Sequence, residues 1–72
     1  MTFQIDVKRL RGILIDKRMP VNDAARAAGM TRQGLGFILD GRSSGRHREG
    51  TVYKLAKALD VDPLTFAHPI EV

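Results

Sequence analysis

The sequence predicts an all-α fold, a compact five-helix domain. Three observations predict it. Apolar residues recur at i, i+3, i+4 and i+7 in several short segments, the spacing of one helix face. A proline, a glycine or a capping residue separates these segments, so each reads as its own short helix. No strand is convincing, since Phe3, Ile5 and Val7 alternate only briefly and Ala67, Pro69 and Val72 only loosely.

The first helix carries Val7, Leu10 and Leu14 on one face, with Ile13 beside them. Asp6 is its expected N-cap, because a short carboxylate there accepts a free amide of the first turn. It should end near Arg18, since Pro20 disfavours helical geometry in the residue before it. Pro20 suits a first turn and opens the second helix, with Val21, Ala24, Ala25 and Ala28 at helical spacing. Gly29 stops that helix, and Thr31 is the expected N-cap of the third. In the third helix Leu35, Ile38 and Leu39 share a face, and Gly41 closes it. Residues 42–48 form a polar, basic loop. The fourth helix places Val52, Leu55, Ala56 and Leu59 on one face, and Asp62 followed by Pro63 starts a short fifth helix through Phe66.

Seventy-two residues allow one domain, residues 1–72. A chain this short buries only about 60% of its unfolded surface, which suffices for a core but not for a large enclosed active site. The chain is 43% hydrophobic, too much for a disordered one. It has no cysteine, which excludes disulfides, thiolate zinc sites and cysteine nucleophiles together. Residues 1–5 lack a basic start, and Asp6, Lys8, Arg9 and Arg11 interrupt any apolar run. Nothing approaches the ~18 apolar residues that span a bilayer. The expectation is a cytoplasmic protein that makes no membrane contact.

The net charge of +4 is unevenly spread. Over residues 26–54, Arg26, Arg32, Arg42, Arg46, Arg48 and Lys54 face only Asp40 and Glu49. From Asp60 onward the chain carries Asp60, Asp62 and Glu71 and no Lys or Arg. A basic centre with an acidic end points to a polyanionic partner at one face.

The informative stretch is residues 21–41, VNDAARAAGMTRQGLGFILDG. Two helices that cross steeply through a tight turn need small side chains where they touch, and Ala25 and Ala28 supply them; Gly29 supplies the turn. Together with YKLAKALDVDPLTF at residues 53–66, this stretch resembles the lambda-repressor/Cro-type (XRE-like) helix-turn-helix family, and the resemblance covers residues 7–66. It implies a small prokaryotic or phage transcriptional regulator that binds double-stranded DNA. Its recognition helix would run over residues 31–40, from Thr31 to Asp40, in the major groove. The outward face is then Gln33, Gly36, Phe37 and Asp40. Arg32 is positioned for a bidentate contact to guanine, Gln33 for adenine and Phe37 for a thymine methyl. Thr31, Arg42, Ser43, Ser44, Arg46 and Arg48 are the candidate phosphate contacts, which hold the protein in place without reading sequence. Three departures stand out, one of them the negative charge that Asp40 puts on the outward face near the helix end. Val21 occupies the place where family members usually carry a polar residue, often glutamine. Gly34 and Gly36 weaken a helix that ought to be rigid.

The resemblance also implies a buried arginine on the first helix paired with a glutamate near the end of the recognition helix. Those places hold Leu14 and Leu39 here, so both are expected to be buried and in contact with each other, a buried ion pair being exchangeable for apolar residues without loss of stability. Because one recognition helix reads too few base pairs, a homodimer is expected, formed through the fifth helix and the tail at residues 67–72, with Phe66, Ile70 and Val72 as its apolar contacts.

An enzyme is not expected. His47 and His68 have no metal-ligand spacing, no carboxylate pair stands out, and no cofactor is implied. The competing expectation is a protein-interaction module, because the same fold serves antitoxins. Ile15, Phe37 and residues 68–72 would then form the surface that captures a protein partner.

Overall fold

Residues 2–41 and 46–70 are described by the computed structural model. In chain order they form β1 (Thr2–Ile5), α1 (Val7–Asp16), α2 (Val21–Ala27), α3 (Arg32–Leu39), β2 (Arg46–Arg48), α4 (Glu49–Leu59), a single 3-10 turn (Pro63–Thr65) and β3 (Ala67–Ile70). The four α-helices lie where the apolar spacing places them. Asp6 caps α1 by accepting the Arg9 amide at 3.2 Å, and Thr31 caps α3 by accepting the Gly34 amide at 2.9 Å. The exits of α1, α2 and α4 share one device. A residue takes left-handed geometry (Arg18 at φ 51°, Gly29 at 69°, Asp60 at 56°). The next amide then reaches back five residues: Met19 to Leu14, Met30 to Ala25 and Val61 to Ala56, at 2.8 to 3.0 Å. Gly41, at φ 70°, turns the chain out of α3.

The all-α, five-helix expectation fails: the fold is α+β. The three strands form one antiparallel sheet in the order β2-β1-β3. Thr2, Phe3 and Gln4 pair with Arg48, His47 and Arg46 on one side of β1. On the other side Thr2, Phe3, Gln4 and Ile5 pair with Ile70, Pro69, His68 and Ala67. The brief alternation of Phe3 and Ile5 is therefore a strand: both are buried, while Thr2 and Gln4 are turned to the other face. The predicted fifth helix is only the 3-10 turn. Asp62 does cap it, accepting the Leu64 amide at 2.8 Å. The chain then returns to the sheet, and the Asp6 amide donates to the Phe66 carbonyl at 2.7 Å.

That bond fixes the parity of the β1–β3 ladder. His68 and Ile70 face β1 with their backbone groups, so Ala67 and Pro69 present theirs to the free edge. Pro69 thus stands where its missing N–H costs no ladder bond, the position at which a sheet edge tolerates proline.

The sheet and all four α-helices close over an apolar core, and among the described residues no polar or charged one is buried. Leu10, Leu35, Leu55, Leu59, Val52 and Phe66 are its most enclosed large side chains. Leu14 and Leu39 are both buried in it. Phe66 and Ala67 are buried in the core too, so neither is left over for the dimer contact expected of it. Ile70 is partly exposed at the end of β3, and Val72 lies outside the described residues.

Candidate nucleic-acid interface

α2 and α3 pack against each other, and α2 also packs on α4. Ala24, Ala25 and Ala28 are buried in this contact region, where larger side chains would force the helices apart. A Cβ at Gly29 would meet nothing within 4 Å, so its glycine answers to backbone geometry, φ 69°, and not to crowding. α3 buries Leu35, Ile38 and Leu39. Its opposite side is turned to solvent, with Arg32, Gln33, Phe37 and Asp40 all exposed.

Arg32 and Gln33 occupy the first turn of α3, and Phe37 follows one turn later, 49% exposed. Thr31 is exposed, and its hydroxyl oxygen accepts from Gly34. A hydroxyl that accepts still has its own proton to donate, and the amides at the start of a helix have no intrahelical acceptor. Thr31, Arg32, Gln33 and Phe37 therefore form one contiguous surface rich in donors.

Arg46 and Arg48 are placed differently from expectation. They belong not to a loop but to β2, where pairing with β1 holds them in register. Both are exposed, and strand alternation puts them on the outer face of the sheet, in rows with Gln4 and His68, and with Thr2 and Ile70. Arg48 is also the N-cap residue of α4, which has no side-chain cap bond, and it shares a shallow depression with Thr2, Thr51 and Lys54. Two cations, two hydroxyls and free helix amides are a set of groups suited to an anion, with Glu49 the opposing charge. Arg42, Ser43 and Ser44 lie outside the described residues.

Sequence reasoning missed the cross-link between α1 and α3. Arg11 donates from Nε and Nη2 to the Leu39 carbonyl oxygen, at 3.0 and 2.6 Å. Its Nη2 also lies 3.8 Å from the Asp40 carboxylate. The polar tie between these helices is thus a half-exposed arginine one turn before Leu14. Also missed was an open groove of about 790 Å³ that runs beside α3, between it and the end of α1. Its walls include Leu14, Met19, Val21 and Leu39, and Arg32 and Gln33 stand on its α3 side.

His47 shares its register row with the buried Phe3, and partial burial there lowers its imidazole pKa by disfavouring the charged form. Among the described residues no helix is long and apolar enough to cross a membrane. Compared with protein-family models, with curated proteins and with solved structures, the chain matches none.

Proposed function

We propose that this protein binds double-stranded DNA sequence-specifically, as a small transcriptional regulator that lays α3 in the major groove. The observation that carries the reading is the division of α3: one side locked into the core through Leu35, Ile38 and Leu39, the other offering Arg32, Gln33 and Phe37 to a partner. A short rigid helix presented in this way, after a tight glycine turn, fits the width of a major groove. The two arginines of β2 add fixed positive charge for phosphates. On DNA the protein acts as a homodimer, which doubles the length of sequence read. Among the described residues, the free edge of β3 and Ile70, rather than Phe66, remain for that contact. The test is selection of a preferred site from random double-stranded DNA, followed by mobility shifts at two salt concentrations. Tight binding to the selected site, with a steep loss at higher salt, is expected. Absence of DNA affinity even at low salt would end this reading.

One observation favours a second reading, capture of a protein partner. Ile15 is 74% exposed beside the groove along α3, more apolar surface than a DNA-binding face needs.

A further inference from the structure

We infer that the groove between α1 and α3 receives the 3-10 turn of a second copy of this chain, forming a head-to-tail contact. Both halves of that contact are present in one molecule. The groove has an apolar floor of Leu14, Met19, Val21 and Leu39, and Ile15 on its wall. Gly36 lines it without a side chain, and a Cβ built there would meet nothing within 4 Å. Three arginines, Arg11, Arg18 and Arg32, stand around it with one carboxylate, Asp40, which already lies 3.8 Å from Arg11. The groove therefore calls for an apolar side chain flanked by negative charge.

The chain offers such a knob on its 3-10 turn. Leu64 projects from the 3-10 turn and is 64% exposed. Asp60 and Asp62 precede it, and both are exposed. The turn is held rigid by its cap, Asp62 accepting the Leu64 amide at 2.8 Å, so little order is lost when it docks. A leucine entering an apolar groove is driven by burial of its own surface and of Ile15. The carboxylates beside it meet arginines and fix the orientation. Knob and groove are different patches, so the contact is heterologous and grows with concentration into rings or short chains instead of stopping at a two-fold dimer.

Regulation follows if the DNA reading holds, and this part of the inference rests on that reading. Arg32 and Gln33 line the groove, so a docked copy covers the side chains assigned to bases. This head-to-tail association and DNA binding then exclude one another, unlike the β3-edge dimer proposed on DNA.

The experiment is sedimentation velocity on the full chain without DNA, from about 20 µM to 1 mM, the range of a weak contact of this size. Sedimentation should quicken with concentration, and salt at about 0.5 M should reverse it. Leu64→Glu and Gly36→Leu should each weaken association by about tenfold or more; circular dichroism checks that both stay folded. Asp60→Lys and Arg18→Glu should each weaken it singly, and the double variant should recover it, which a general loss of solubility does not reproduce. A protein that stays monomeric throughout, or assembles equally well with Leu64→Glu or Gly36→Leu, overturns the inference. A protein that assembles as described but has no affinity for DNA overturns the DNA reading alone.

Discussion

Arg11 reaches from α1 to the end of α3 and gives its guanidinium chiefly to a carbonyl, with a carboxylate further off. The last carbonyls of a helix lack intrahelical donors, and a cation there also meets the negative end of the helix dipole. The Asp40 contact is longer and more than half exposed on both sides, so solvent screens most of it. Two substitutions separate these terms. Arg11→Ala should cost ~1–3 kcal/mol in urea unfolding, because the Leu39 carbonyl loses a charged donor. Asp40→Asn should cost less than Arg11→Ala, because its contact with Arg11 is the longer and more screened one. A larger loss from Asp40→Asn than from Arg11→Ala would contradict this ranking. His47 gives the other prediction at this scale. Burial lowers its pKa in the folded state below the unfolded value of about 6.5. Between those two values the unfolded chain binds more protons, so stability rises with pH across that window. The contribution is fully present above about pH 6.5 and is lost as pH falls through the folded pKa. Urea unfolding of the wild type and His47→Leu at a series of pH values from about 5 to 8 should show this slope in the first and not in the second.

α3 is a helix of eight residues containing two glycines, and their surroundings differ. A Cβ at Gly36 meets open space, whereas one at Gly34 would come within 3.0 Å of the Thr31 hydroxyl that caps the helix. Gly36→Ala should therefore stabilise by about 0.8–1 kcal/mol, raising Tm by roughly 4–8 °C. Gly34→Ala should gain clearly less, because its methyl displaces the cap. Thermal melts of the two variants decide it, and an equal gain from both would show the Thr31 cap to be expendable. The helices as a class were legible in the sequence because their signals are local: Asp6 and Thr31 as caps, Pro20 as an opening, Gly29 and Gly41 as exits. The strands were not, because their pairing is made by residues far apart in the chain. β1 has only two inward residues to alternate, Phe3 and Ile5. β2 reads Arg-His-Arg, with no apolar residue to mark it, and β3 contains a proline, which argues against a strand anywhere but at an edge. Asp62 before Pro63 opens a 3-10 turn as readily as an α-helix, so the sequence signal is real and its continuation is not encoded there. The exposed side of α3 followed from helical spacing alone. The groove beside it did not, since it arises from how α1 and α3 pack and from the side chain that Gly36 lacks.

On the proposed reading the molecule meets a polyanion with Arg32 of α3 and with Arg46 and Arg48 of β2. Arg32 and Gln33 on α3 are assigned to base edges, Arg46 and Arg48 on the sheet to phosphates. The sheet gives the second pair a fixed place: strand pairing with Gln4 and Thr2 holds both guanidinium stems on one outer face, so their charge does not depend on ordering a loop. Reading and holding are separable because they respond differently to sequence and to salt. Arg32→Ala and Gln33→Ala should each lose ~1–3 kcal/mol on the selected site and less on unrelated DNA, because a base contact supplies discrimination. Arg46→Ala and Arg48→Ala should weaken binding to both DNAs alike. Each should also flatten the plot of log affinity against log salt by roughly one unit, since one fewer counterion is released. A salt titration of the four single variants on both DNAs, below the concentration at which the free protein self-associates, makes the measurement. Sequence preference that survives both Arg32→Ala and Gln33→Ala would remove α3's first turn from the reading surface. An unchanged salt slope in Arg46→Ala and Arg48→Ala would show that the outer face of the sheet points away from the DNA, leaving α3 and the N-terminus of α4 as the surfaces that approach it.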